Sequence, residues 1–312
     1  MKKSVLFKIN SLYRDNFRVT GYTFGSGEKA LCVVGNMRGN EIQQIYTCSQ
    51  LIQRLKKLEE EGRIREGREI LVIPSCNPHS MNIGKRFWPT DNTDINRMFP
   101  GYDLGETTQR IAAGIFDVIK EYKNGIQLTS FYMPGVFLPH LRMMTTGFEN
   151  TELAKKFGLP YVVLRNTRPY DTTTLNYNWQ IWETNAFSLY TTSTDKIDRQ
   201  SVKLGVQSML NFMAAEEMID YKGPAGYQSE ILDDRELVSA RVRHSGIFEC
   251  LVQVGQEVSK GERLARVLDP CDGEQKEEID SPVDGIIFFA HDEPLTYENT
   301  AVFKIIKREP NH

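Results

Sequence analysis

The sequence predicts an α/β protein: a mostly parallel sheet flanked by helices over residues 1–222, followed by a small all-β, barrel-like domain over residues 223–312. Short apolar runs alternate with amphipathic stretches in the first two thirds of the chain, and the texture changes after Lys222-Gly223-Pro224-Ala225-Gly226. Ala30-Leu31-Cys32-Val33-Val34-Gly35 is an apolar run closed by Gly, the pattern of a strand buried on both faces. Glu41 to Glu61 has helical spacing, with Ile42, Ile45, Leu51, Ile52, Leu55 and Leu58 toward a core and charged residues outside. Glu69-Ile70-Leu71-Val72-Ile73-Pro74 reads as the next strand, and Thr107 to Tyr122 as a helix with Ile111, Ile115, Phe116 and Ile119 on one stripe. Tyr161-Val162-Val163-Leu164 is a further strand, and Ser201 to Met218 a further helix. Strand–helix alternation of this kind calls for a parallel sheet covered on both faces.

From about Leu237 the segments are short and strand-like. Ser245-Gly246-Ile247-Phe248 leads to Val258, Gly261, Leu264 and Val267, and Asp284-Gly285-Ile286-Ile287 leads to Leu295, Asn299, Ala301 and Ile305. This repeated unit suggests two interlocked hairpin sets, as in lipoyl and biotinyl barrels. Those carriers need a Lys flanked by Met at a hairpin tip, and no Met follows Met218. A structural or oligomerisation appendage is the expected role.

A chain of 312 residues with 40% hydrophobic and 25% charged residues has enough apolar material for a sizeable core. A formal charge of −3 and no long basic run give no reason to expect nucleic acid. Lys8 and Arg14 interrupt the N-terminal apolar stretch too early for a signal peptide, and no window spans a membrane. The five scattered cysteines, with no Cys-x-x-Cys, suit reduced thiols in a cytoplasmic chain, Cys32 and Cys76 being buried and inert.

Two motifs carry the functional reading. Gly39-Asn40-Glu41 follows the first buried strand, and Asp94-Ile95-Asn96-Arg97-Met98-Phe99-Pro100-Gly101 lies more than fifty residues downstream. With Asn77-Pro78 and Lys85-Arg86 between them, this run resembles the succinylglutamate desuccinylase/aspartoacylase family, whose members are built on the zinc carboxypeptidase fold. The resemblance extends to the C-terminal β-domain. It implies a zinc-dependent hydrolase of amide bonds, with a His-x-x-Glu pair and a later His as metal ligands and a Glu as general base. Glu41 is the retained ligand, while Arg38 stands at the first His position and Thr129, in Gln127-Leu128-Thr129, at the second. Tyr190 stands at the general-base position, and Glu183 is the base if the register is shifted. Thr191-Thr192-Ser193-Thr194 replaces the family's Gly-Gly.

A single carboxylate does not hold zinc tightly, and Arg38 brings a permanent positive charge to the metal's place. Arg38 is therefore expected to replace the metal as counter-charge for Glu41. The expected consequence is loss of hydrolysis and no cofactor, zinc being expected only if the site is rearranged around His79, His140 and Glu41. His244 and His291 fall in the β-domain, and His312 is terminal. The resemblance also implies that Arg86, Asn96 and Arg97 grip a carboxylate, with Asp91 or Asp94 as the accompanying Asp. A carboxylate-bearing N-acyl amino acid or a peptide end is the expected ligand. No nucleic acid or membrane partner is expected, and a homo-oligomer is compatible with the sequence. Two alternatives stand beside this reading: an active metal-dependent amidohydrolase or carboxypeptidase with a rearranged site, and a partner-binding assembly protein with a vestigial pocket. Thr167 to Trp182, rich in Tyr, Thr and Asn, reads equally as a covering loop or a structural insertion.

Overall fold

The computed structural model describes residues 1–13, 15–131, 133–193 and 195–308; Arg14, Thr194 and His312 lie outside them. The chain divides into two compact units, one formed by Met1–Ser130 with Pro139–Ile231, the other by Phe131–Leu138 with Leu232 onward.

The first unit opens with an antiparallel pair, β1 (Lys2–Ile9) and β2 (Phe17–Gly25), which lies outside the strands expected from the sequence pattern. Its first strand is half exposed, and the short Val5-Leu6-Phe7 run is flanked by Lys2, Lys3 and Lys8, which leaves only a weak apolar signal. β3 (Glu28–Asn36), α1 (Ile42–Glu60) and β4 (Arg68–Ser75) form the first parallel crossover. A short α2 (Pro78–Asn82) and α3 (Thr107–Ile119) precede β5 (Asn124–Thr129). After the two-residue β6 (Val136–Phe137) of the second unit come β7 (His140–Thr145), α4 (Thr151–Lys155) and β8 (Tyr161–Asn166). α5 (Leu175–Ile181), β9 (Asn185–Tyr190), α6 (Arg199–Ala215) and β10 (Glu230–Asp233) follow. The nine-stranded sheet has the order β1-β2-β4-β3-β5-β9-β7-β8-β10. β3 pairs in parallel with β4 and β5, and β5 with β9, as the alternating pattern requires.

Successive residues of the central strands point to opposite faces, and both faces are apolar. Leu31, Val33, Ile70, Val72, Ile126 and Leu128 pack under α1 and α6 with Leu51, Leu55, Met209 and Met213. Cys32, Val34, Leu71 and Ile73 face the other way, toward Ile111, Ile115, Leu175 and Trp179 of α3 and α5. Each such fully buried aliphatic side chain contributes about 1.5–3 kcal/mol. Cys32, Cys48 and Cys76 are buried free thiols. Burial, followed by the nearby Glu41 charge, pushes the Cys76 thiol pKa up to about 12, so it stays protonated and unreactive.

Asp198 ends the loop before α6 and accepts hydrogen bonds from the backbone N–H groups of Gln200 (3.0 Å) and Ser201 (3.4 Å). Asp198→Ala is expected to cost about 1 kcal/mol, read as a lowered denaturant midpoint at unchanged m-value.

Residues 222–231, expected as linker and start of the second domain, remain with the first unit. Tyr227 N donates to Gly158 O (2.9 Å) and Glu230 N to Pro160 O (2.9 Å), so the chain runs along the β8 end before leaving. The second unit is antiparallel. β11 (Leu237–Arg241), β12 (Gly246–Cys250), β13 (Glu257–Val258), β14 (Arg263–Leu268), β15 (Gln275–Asp280), β16 (Gly285–Ala290), β17 (Leu295–Thr296) and β18 (Ala301–Lys307) form two small sheets around Leu264, Val267, Ile287, Val302, Phe303 and Ile305. Strands β12 and β16 start at Gly246 and Gly285, the two echoing positions in the sequence, and each pairs with the strand after next (β14 and β18) rather than closing a hairpin with its successor. Among the described residues, no helix is long and apolar enough to cross a membrane.

Candidate functional site

The strand order β4-β3-β5 means that the chain leaves β3 toward one neighbour and returns on the other side. Loops diverge at the carboxyl ends of such a pair and leave a crevice, the usual ligand position in open α/β sheets. Residues 37–41, after β3, and Thr129-Ser130, at the end of β5, lie at this point.

The first turn is built by Asn36, which is fully buried. Its Nδ2 donates to Arg38 O (2.6 Å) and Glu41 O (3.3 Å), and its Oδ1 accepts from Ser75 Oγ (2.9 Å). Gly39 is required here: a Cβ would lie 2.2 Å from Lys85 O and 2.3 Å from the Ser80 carbonyl carbon. The same close approach lets Gly39 N donate to Arg86 O (3.0 Å), which ties the Arg86 segment to the turn. The Gly-Asn-Glu motif thus follows from backbone crowding as well as from side-chain chemistry.

Glu41 is 1% exposed, and all the bonding capacity of its carboxylate faces inward. Oε2 accepts from Met37 N and Arg38 N, both at 2.9 Å. Oε1 accepts from Arg38 Nη1 (3.1 Å) and from the Ser130 hydroxyl. The Arg38 guanidinium lies between two carboxylates. Besides Glu41 it binds Asp94 Oδ2 through Nε (3.1 Å) and Nη2 (2.8 Å), and its Nη1 also reaches Ser130 Oγ (3.3 Å). Burial opposes the Arg38 charge, but Glu41 and Asp94 more than offset it and hold the guanidinium above its ordinary pKa. Arg38 is a fixed cation inside a carboxylate pair.

These residues do not fit a zinc ion. Four donors, two of them from Arg38 and one from Ser130, occupy the one retained ligand, and a permanent cation sits against it. Thr129 turns its hydroxyl back to Gln127 O (3.0 Å). Among the described residues, no three His, Cys, Asp or Glu side chains form a group able to hold a metal, so His79, His140 and Glu41 do not make the recruited site. His79 packs against Phe17 (5.0 Å between ring centroids) and Trp88 (5.5 Å), an aromatic cluster that accounts for its position. His140 is fully buried and stacks on the Tyr190 ring at 4.7 Å.

Tyr190 ends β9 directly beside Thr129 in the β5·β9 register. The Arg142 guanidinium lies 4.7 Å from its ring centroid, and Arg142 Nη1 donates to its hydroxyl (3.3 Å). Glu183 lies apart from these residues. It is exposed, sits in the turn before β9 with φ of 65°, and is separated from Tyr190 by the length of the strand, roughly 20 Å. The alternative base is thus at the amino end of the sheet. Thr191 Oγ1 and Ser193 O accept from Gln43 Nε2 (2.8 and 3.0 Å), which fixes the polar turn after β9 to α1.

On the carboxylate-gripping side, Asp94 caps the 3₁₀ turn Ile95–Arg97 by accepting from Asn96 N (3.0 Å). The residue that anchors Arg38 therefore also sets Asn96 and Arg97. Asn96 is buried, and its Oδ1 accepts from Gln127 Nε2 (2.9 Å). Arg97 is one-third exposed, donates to Tyr170 O and lies 3.7 Å from Asp171 Oδ1. Burial and then the like charge of Arg38 draw Arg86 below its ordinary pKa, against the pull of Glu41, Asp94 and Asp195. Arg38 and Arg86 therefore share one electrostatic environment. Of the stretch from Thr167 to Trp182, the second half is α5, with Leu175, Trp179 and Gln180 buried, while Arg168, Tyr170, Thr172, Thr173 and Trp182 are exposed.

Ser130, Gln127, Asn176, Arg142 and Asp171 were not singled out from sequence. Strand register and side-chain packing bring them in, and no local motif marks them; Asp94 has only the family resemblance to point to it, as one of two candidates with Asp91, and the structure adds its capping role.

Residues 27–214 match the model of the succinylglutamate desuccinylase/aspartoacylase catalytic domain. An N-alpha-acetyl-L-2,4-diaminobutyric acid deacetylase from Halomonas elongata is 25% identical over 266 residues, which cover 80% of this chain and 73% of that relative. A succinylglutamate desuccinylase from Silicibacter sp. superposes with a TM-score of 0.82 at 17% identity, covering 97% of this chain and 94% of the other. The product-bound ectoine utilization protein EutE (DoeB) from Ruegeria pomeroyi superposes with a TM-score of 0.78 at 18% identity, again covering 97% and 94%. At these identities the two superpositions establish a shared fold.

Proposed function

Because the chain belongs to the succinylglutamate desuccinylase/aspartoacylase family, we propose that it is a diverged member that binds a carboxylate-bearing N-acyl amino acid or peptide end without zinc-dependent amide hydrolysis. The observation that carries this reading is the Arg38 guanidinium seated between Glu41 and Asp94, with Ser130 donating to the same Glu41 oxygen. An arginine there balances the charge that a metal would balance, yet it has no open position at which to acidify a water. Catalysis by metal-bound water loses its nucleophile, and Tyr190 supplies no base in its place, since a phenol is a poor proton acceptor at neutral pH.

The binding half supports the ligand class. Arg97 has five N–H donors in a planar fork suited to a carboxylate, and the Asp94 cap holds it beside Asn96. The acetylated amino acid in the name of the Halomonas elongata relative is of the same class.

The reading is tested by calorimetric titration with N-acetyl-L-alanine in the presence of EDTA. Binding is expected with the chelator present, with no release of acetate or alanine. Arg97→Ala is expected to raise Kd roughly tenfold or more, the effect of losing a charge-assisted contact. Unchanged affinity in Arg97→Ala would sink the assignment of the carboxylate seat and favour a partner-binding chain with a vestigial pocket.

A further inference from the structure

Three buried amides form a line that the proposed binding scheme leaves unexplained. Asn176 Nδ2 of α5 donates to Gln127 Oε1 of β5 (2.9 Å), and Gln127 Nε2 donates to Asn96 Oδ1 (2.9 Å). The three residues are 4%, 2% and 6% exposed, and apolar neighbours such as Ile95, Leu175 and Trp179 lie in the same layer. Buried amides lower stability unless bonded, and this line is not fully bonded: Asn176 Oδ1 has no hydrogen-bond partner among the described residues. An apolar trio would pack the layer without that penalty, so the line does something other than hold the core.

We infer that Gln127 is a positioning residue that fixes the polarity of Asn96, turning the Asn96 N–H₂ toward the ligand as a donor. The inference rests on the carboxylate reading given above. An amide is two-faced, one end accepting and one donating. With Oδ1 held by Gln127, the donor end of Asn96 points away from β5. Running the line in the opposite sense would strand the Asn176 amide N–H₂ in place of a single oxygen, so the observed sense leaves the smaller unsatisfied group. Gln127 lies two residues before Thr129 on β5, on the same face of the strand. A carboxylate in its place could only accept. It would draw N–H groups from both Asn176 and Asn96 and would turn the Asn96 oxygen outward.

Gln127→Glu therefore inverts the line with almost no change of shape. The probes are N-acetyl-L-alanine, which presents a carboxylate, and N-acetyl-L-alaninamide, which presents a group able to donate. Wild-type protein is expected to prefer the carboxylate, and Gln127→Glu to reduce that preference roughly tenfold or more, chiefly by weakening N-acetyl-L-alanine. The introduced charge by itself also repels the anion, so a reduced preference upholds the inference only together with an Asn96 amide turned in the neutron structure of Gln127→Glu; a merely structural role would weaken both probes alike. Equal weakening, or an unchanged preference in a folded variant, overturns the inference while leaving the carboxylate seat on Arg97 intact. If wild-type protein takes neither probe, the binding reading itself fails. The line is then decided by a neutron structure of unliganded Gln127→Glu. An Asn96 amide turned with its deuterons toward the introduced carboxylate upholds residue 127 as what sets the Asn96 orientation, and an unturned one overturns the inference.

Discussion

Arg38→Met is expected to lower the stability of the protein by about 3–5 kcal/mol, the range for breaking a buried ion pair from one side. Met fills much of the volume of the arginine stem, so the deficit reports charge and hydrogen bonding more than a cavity. The substitution leaves Glu41, 1% exposed, and Asp94, 16% exposed, with no cation between them and removes four donated side-chain hydrogen bonds. Chemical denaturation at neutral pH measures the loss. Arg38→Met with Glu41→Gln is expected to be less destabilised than the sum of the two single changes, because the neutral pair strands less charge. Strict additivity would mean that Arg38 and Glu41 are not energetically coupled. A loss below about 1 kcal/mol, the range of an exposed pair, would mean that the guanidinium is not the structural occupant of the site.

The second large effect concerns metal. Arg38→His with Thr129→His places two imidazoles beside Glu41, the donor set the family resemblance implies, and removes the cation that now blocks it. The double variant without metal is expected to share the instability of Arg38→Met. Zinc is expected to restore about 3–4 kcal/mol when present at several hundred times its Kd, since metal that binds only the folded chain adds its binding free energy to folding. Thermal unfolding with and without zinc reads the difference, and wild-type protein serves as the control with no zinc-dependent shift. Hydrolysis of N-acetyl-L-alanine is expected to need Tyr190→Glu as well, because a metal-bound water still requires a proton acceptor. A double variant that ignores zinc would show that the 38, 41 and 129 positions do not converge on one point.

Much of this arrangement is legible in the sequence, for identifiable reasons. Arg38 and Glu41 are three residues apart at a strand-to-helix turn, a spacing that brings side chains together wherever the turn is tight, and the 3.1 Å ion pair follows. The buried central strands announce themselves as unbroken apolar runs because both faces are covered. Asp94 was half legible, one of two candidates until the 3₁₀ cap distinguished it from Asp91. Ser130, Gln127 and Asn176 were not legible, since their partners lie 89, 31 and 49 residues away in the chain and only the packed sheet supplies the meeting. Glu183 illustrates the cost of register. Displacement by a strand's length takes a plausible base to the opposite end of β9, although the two candidates are close neighbours in sequence. The C-terminal unit is readable from its two echoing Gly-apolar-apolar strands, while the recruitment of Val136–Phe137 to it has no local signal.

With Arg38 in the metal's place beside Glu41, wild-type protein purified without chelator, dialysed against modest zinc and then against metal-free buffer, is expected to hold zinc well below one ion per chain by elemental analysis, with no change on Glu41→Ala. Zinc near one ion per chain that disappears in Glu41→Ala would contradict that placement and make a rearranged hydrolase the better description.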